Sequence, residues 1–107
     1  MFLHEKQTLR KIIRILKEKF PGRIVSAYAF GSRVRGDHKE WSDFDVLVLV
    51  RDKTPKLEAE IISVFVDEEL RTGLSFAPVI KDIRVFNKEK NFKTPFYENI
   101  VREGVLL

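Results

Sequence analysis

Aspartate is disfavoured inside an apolar β-strand, and this chain places one there: Asp45, in the run Asp43-Phe44-Asp45-Val46-Leu47-Val48-Leu49-Val50. The run reads as a strand of period two. Asp43, Asp45, Leu47 and Leu49 then share one face, and Phe44, Val46, Val48 and Val50 the other. Two carboxylates spaced this way stand about 6 to 7 Å apart. At an effective dielectric of about 20 their repulsion is on the order of 2 to 3 kcal/mol, a cost that a shared divalent cation turns into attraction. An all-oxygen donor set favours magnesium or manganese, with water and substrate phosphates completing the shell.

The stretch upstream supplies what a phosphate needs. Ile24-Val25-Ser26-Ala27-Tyr28-Ala29-Phe30 is an apolar run of β-formers that ends at Gly31, so it predicts a buried strand entering a tight turn. Gly31 lets the backbone approach a ligand closely. Ser32 offers a hydroxyl and can cap a following helical turn, whose backbone N–H groups point at an anion. Arg33 and Arg35 add positive charge. In the polar connector that follows, a short helical turn is expected; His38 and Trp41 lie in it and either can face a nucleotide, Trp41 by stacking on a base, but the favoured expectation is that Trp41 anchors the loop on the core, with exposure the alternative for His38.

Gly31-Ser32-Arg33-Val34-Arg35-Gly36, followed by Ser42-Asp43-Phe44-Asp45-Val46-Leu47-Val48, resembles the signature of the DNA polymerase β-like nucleotidyltransferases, and most of all their small group, the minimal nucleotidyltransferases. The resemblance implies a nucleotidyltransferase core that moves a nucleoside monophosphate, AMP from ATP, onto a hydroxyl acceptor. It implies Asp43 and Asp45 as catalytic residues and ligands of Mg²⁺, and Gly31, Ser32 and Arg35 as the nucleotide-binding residues. The Gly-Ser, ten residues, Asp-x-Asp spacing is the form associated with antitoxins that modify and pair with a small HEPN-domain ribonuclease toxin, so such a toxin is the partner implied. The chain departs from the family at one place. A third carboxylate is usual on the strand after the long helix, but Leu74-Ser75-Phe76-Ala77-Pro78-Val79-Ile80 contains none. Asp82, just past that run, or a residue of a partner is left to complete the site, and activation of the acceptor hydroxyl is what the missing acid puts at stake.

A chain of 107 residues is the size of one domain, 1–107, and leaves no room for a separate acceptor-recognition domain. The acceptor is therefore expected to come from a partner or from a second subunit in a homo-oligomer. The formal charge of +4 suits an anionic nucleotide and is modest for a nucleic-acid binder. No cysteine is present, and no apolar run approaches a membrane span or signal peptide, which makes a cytoplasmic protein the expectation.

Helical spacing of Leu9, Ile12, Ile13, Leu16 and Phe20 predicts an amphipathic helix over 5–20, ended by Pro21-Gly22. Thr54-Pro55 predicts the start of a second helix running to about Arg71, with Leu57, Ile61, Val64, Phe65 and Leu70 on a wide apolar face, Ile62 and Val66 beside them, and Glu58, Glu60, Glu68 and Glu69 wet. The third strand spans 74–80, where Pro78 points to an edge or a bulge. The stretch from Asn87 reads as loop until Thr94-Pro95 opens a last helix that buries Phe96, Ile100 and Val101, with Gly104 as its cap. The apolar end, 105–107, either tucks into the core or meets another chain.

The order helix, strand, turn, strand, helix, strand, helix predicts an α/β (α+β) domain: a small mixed sheet, helices mainly on one face, and the site at an open one. Against an Mg²⁺-dependent adenylyltransferase acting on a protein stand two alternatives. One is a non-catalytic nucleotide-binding or partner-capping module, which the acid-free third strand favours; the other is transfer onto an antibiotic or other small molecule.

Overall fold

Residues 1–36 and 42–107 are described in the computed structural model. His38 and Trp41 lie outside them. The chain runs α1 (Leu3–Lys19), β1 (Ile24–Phe30), α2 (Ser32–Arg35), β2 (Phe44–Val50), α3 (Pro55–Thr72), β3 (Phe76–Asp82), α4 (Ile83–Phe92), α5 (Pro95–Glu103) and β4 (Val105–Leu106). The four strands form one sheet in the order β3-β2-β1-β4. β1 is antiparallel to β2 and β4, while β2 and β3 are parallel and joined by α3 as the crossover that parallel strands require. The sheet is mixed, as expected.

Period two on the strands sorts the core into two layers. Phe44, Val46, Val48 and Val50 of β2 face α1 and α3, meeting Leu9, Ile12 and Leu16 of the first helix and Ile61 and Phe65 of the second. Ala27 and Ala29 of β1 are fully buried in this layer, their short side chains leaving room for α1. On the opposite face Leu47 and Leu49 meet Phe86 of α4 and Ile100 of α5, with Tyr28, Phe30 and Val79 at the margin. The two long helices thus occupy one face, and two short ones add a smaller cover to the other.

Local signals account for most boundaries. Thr54 Oγ1 accepts the Leu57 amide at 3.0 Å with Pro55 in the first helical position, and Thr94 repeats the device with Tyr97 at 3.3 Å. Gly73 closes α3 in the left-handed conformation. Pro78 falls on an edge strand, where its missing N–H interrupts no ladder. The apolar end becomes β4, whose Leu106 pairs with Tyr28, and the Leu107 amide donates to the Ala27 carbonyl at 3.0 Å.

Four expectations need correction. The stretch after Asn87 is not loop but the body of α4, a helix that starts because Asp82 caps it and that holds to the sheet through the buried Phe86, with Ile83 partly buried beside it. The third strand begins two residues later than expected and ends on Asp82 rather than before it. On α3 the buried row is Leu57, Ile61, Val64, Phe65 and Glu68, a continuous helical stripe, so Glu68 is only 4% exposed while Leu70, off that stripe, is 83% exposed. Ile62, Val66 and, on α5, Val101 are likewise exposed. Among the described residues no helix is long and apolar enough to cross a membrane.

Asp82 ties three segments together. It accepts the Arg84 amide at 2.8 Å and the Lys53 amide at 3.0 Å, and pairs with the Arg84 guanidinium at 3.1 Å. The bond from the Arg84 side chain, then those from the two amides, holds its carboxyl well below the usual carboxylate range. A depressed carboxyl stabilises the fold above its unfolded value and loses that contribution as the pH falls through the folded one. Asp82→Asn is therefore expected to lower the melting temperature by several degrees at neutral pH. The gap to the parent should narrow progressively below about pH 4 in thermal melts recorded across the acid range.

Candidate active site

The register between β1 and β2 creates the site. Phe30 lies opposite Asp45, so the residue that follows β1, Gly31, turns directly over the Asp45 carboxylate. A Cβ on Gly31 would stand 2.1 Å from Asp45 Oδ2, and the residue has φ +83°. Both the contact and the conformation exclude any other residue. The Gly31 carbonyl then accepts the amides of Val34 and Arg35 at 3.2 and 3.1 Å, which starts α2 and leaves the amides of Ser32 and Arg33 without an acceptor inside the helix. The glycine-serine turn and the two aspartates, ten residues apart in sequence, are brought to one place.

Asp43 lies exposed just ahead of β2, and Asp45 is partly buried at its start on the sheet face of Leu47 and Leu49. Burial first, and the neighbouring Asp43 charge second, push the Asp45 carboxyl above the usual range, while Arg35 pulls it the other way. Arg35 is exposed and pairs with Glu103 at the end of α5 at 3.1 Å. Its positive charge therefore stands near the carboxylates.

Arg33 does not join it. Two residues on a helix differ by about 200° in direction, so Arg33 points away from Arg35. It is buried, pairs with Glu5 at 3.2 Å, and places its guanidinium 4.2 Å from the centre of the Phe44 ring. Glu5 also accepts the Phe2 amide at 2.8 Å, so one carboxylate both caps α1 and holds the turn. The expectation that Arg33 adds charge at the site is corrected: it anchors the glycine-serine turn between α1 and β2. Glu5 and Glu103 escape a reading of the sequence because each meets its arginine only through the tertiary fold, 28 and 68 residues away.

The third carboxylate is absent from its expected neighbourhood. Parallel pairing sets Ala77 beside Asp45 and Asp82 beside Val50. Five residues of strand, about 16 Å, separate Asp82 from the level of Asp45, and its oxygens are engaged at α4. Asp82 cannot complete the site. Among the described residues no group of three or more Asp, Glu, His or Cys is placed to hold a metal. The pair Asp43 and Asp45 nevertheless suits a hard divalent cation: the donors are oxygen only, and the partly buried Asp45 carboxyl carries a repulsion that a cation would relieve.

That repulsion has a measurable sign. A carboxyl raised in the folded state costs stability once the pH exceeds its unfolded value, so removing its charge should help the ligand-free fold. Asp45→Asn is expected to raise the melting temperature near neutral pH, with the gain vanishing below the ordinary carboxylate range. Gly31→Ala is expected to lower it at every pH because the added methyl displaces the carboxylate. Differential scanning calorimetry of the two variants in metal-free buffer distinguishes these outcomes; a loss of stability in Asp45→Asn would mean that the carboxylate serves the fold.

Comparison with known proteins agrees with this geometry. The family model described as "Nucleotidyltransferase domain" matches residues 9–107. Two proteins of Methanocaldococcus jannaschii named "Putative protein adenylyltransferase", MJ0604 and MJ0141, are similar at 30% and 34% identity. The first similarity covers 98% of this chain and 99% of the relative, the second 94% and 91%. Among solved structures, a nucleotidyltransferase described as putative from Sulfolobus solfataricus superposes with a TM-score of 0.58 at 22% identity, covering 94% of this chain and 76% of that one. A toxin-antitoxin structure with AMP-PNP follows at 0.57 and 21%, covering 91% and 69%, and these two likenesses speak for the fold. A mixed sheet of this topology, a glycine turn over a strand-borne aspartate with a second just ahead of it, and a family match over nearly the whole chain lead to one conclusion: the chain belongs to the nucleotidyltransferase domain family and is a nucleotidyltransferase.

Proposed function

We propose that the protein is an adenylyltransferase that moves AMP from ATP onto a hydroxyl of a protein acceptor, with a HEPN-domain ribonuclease toxin as that acceptor and partner. The observation that carries the reading is the packing of Gly31 onto the Asp45 carboxylate, which supports a turn and an acid acting on one ligand. In the reaction the acceptor oxygen bonds to the α-phosphorus, the bond from that phosphorus to the β-phosphate oxygen breaks, and pyrophosphate leaves. Gly31 and Ser32 hold the triphosphate by backbone amides and hydroxyl, and Arg35 contributes positive charge beside it. Asp43 and Asp45 would hold Mg²⁺, which when bound offsets phosphate charge and orients the nucleotide. The names of the Methanocaldococcus relatives, and a structural neighbour that is a toxin-antitoxin pair, support a protein substrate of this kind.

Ala77 in place of an acid leaves β3 without a general base beside Asp45. The acceptor hydroxyl must then be activated by the acceptor's own groups, or the protein holds nucleotide without turning it over. Intact mass of the co-purified partner after incubation with ATP and Mg²⁺ separates the two. A gain of one or more AMP units, lost with Asp43→Asn/Asp45→Asn, is the expected result. An unmodified partner in a stable complex with intact ATP binding would overturn catalysis in favour of the binding module.

A further inference from the structure

The formal charge of the chain is not spread over it. Lys6, Arg10, Lys11, Arg14, Lys17 and Lys19 against Glu5 and Glu18 put +4 on α1, the net charge of the whole protein, so the remaining residues balance to zero. None of the six cations forms an ion pair among the described residues, and Arg10, Arg14 and Lys17 are exposed at successive helical turns. Beside α1 in the same layer lies α3, whose Glu58, Glu60, Asp67, Glu68 and Glu69 outnumber Lys56 and Arg71 by three. Its outer surface carries an exposed apolar row, Ile62, Val66 and Leu70, spaced four residues apart. On the helical wheel Glu58 and Glu69 border this row on one side and Glu60 and Asp67 on the other, where Lys56 stands among them; Glu58 and Glu60 pair with Lys53 and Lys56 at 3.0 and 3.9 Å, while Asp67 and Glu69 form no ion pair among the described residues. No ion pair joins α1 to α3 among the described residues, because both outer faces point the same way, out of the layer.

We propose that the α1/α3 layer is a two-fold interface between two copies of this chain, α1 of each lying on α3 of the other. Charge complementarity selects this occupant. The cationic ridge needs an acidic partner surface, the acid-bordered apolar row needs a basic one, and the chain presents both side by side in the order that a two-fold axis along the helices interchanges. Pairing α3 with α3 would set acid against acid, and a nucleic acid on α1 would meet the acidic border of α3. The site is left open, since Asp45 projects from the opposite sheet face. The inference does not depend on which acceptor the enzyme uses.

Sedimentation velocity over a range of concentrations, at low and high salt, tests it on the full chain. A monomer–dimer equilibrium that weakens with salt is expected. Leu70→Lys, at an exposed position that cannot unfold the core, should raise the dissociation constant at least about tenfold. Arg10→Glu/Arg14→Glu should do the same, and adding Glu60→Lys/Asp67→Lys to that pair should recover a substantial part of the loss. Circular dichroism confirms that each variant is folded. A protein monomeric at all concentrations, a dimer indifferent to these substitutions, or a monomer that binds a polyanion through α1 would each overturn the proposal.

Discussion

The contact of the Gly31 backbone with the Asp45 carboxylate is the constraint to which the rest of the molecule is fitted. It exists only because β1 and β2 pair antiparallel with Phe30 opposite Asp45; a slip of one residue would turn Asp45 into the layer occupied by α1 and α3. That register is secured by the two-layer core, in which Val46, Val48 and Val50 are committed to one face and Leu47 and Leu49 to the other. The turn itself is held from behind by Arg33, clasped between Glu5 and the Phe44 ring. Breaking such a buried pair from one side leaves a charge stranded, so α1, the turn and β2 keep their relation as a unit.

Function and stability pull in opposite directions at this point. Two carboxylates set close together at the partly desolvated start of a central strand do not help the empty fold, and nothing on β3 shares the burden, because Ala77 stands where an acid would deepen the repulsion. With alanine there, β3 leaves the pair at a lower electrostatic cost than a third acid on that strand would impose.

Much of this arrangement is legible in the residues. An apolar run of β-formers ending at Gly31 revealed β1, period two revealed β2, the caps Thr54 and Thr94, each followed by proline, revealed α3 and α5, and the spacing from Gly31-Ser32 to Asp43 and Asp45 singled out residues of which the fold packs Gly31 against Asp45. What escaped is instructive for its cause. The helix α4 is only ten residues long and starts at an aspartate cap hidden at a strand end, so its short apolar pattern, Ile83 and Phe86, merges with the strand before it. Glu68 and Leu70 exchange their expected environments because a stripe two residues off direction is enough to reverse them, and hydrophobicity alone does not choose the stripe. Arg33 and Arg35 look alike in sequence; only the opposite directions of two positions on one helical turn send one into the core and the other toward the carboxylates.

Two aspartates on adjacent strands also define how the protein meets acid. Asp45 gains its proton early because burial and Asp43 favour the neutral form, whereas Asp82, gripped by Arg84 and two amides, keeps its charge longest. On acidification Asp45 takes up its proton while Asp82 still carries its charge, so the strand that bears the glycine contact loses a repulsion before the junction of β3 with α4 loses its clasp.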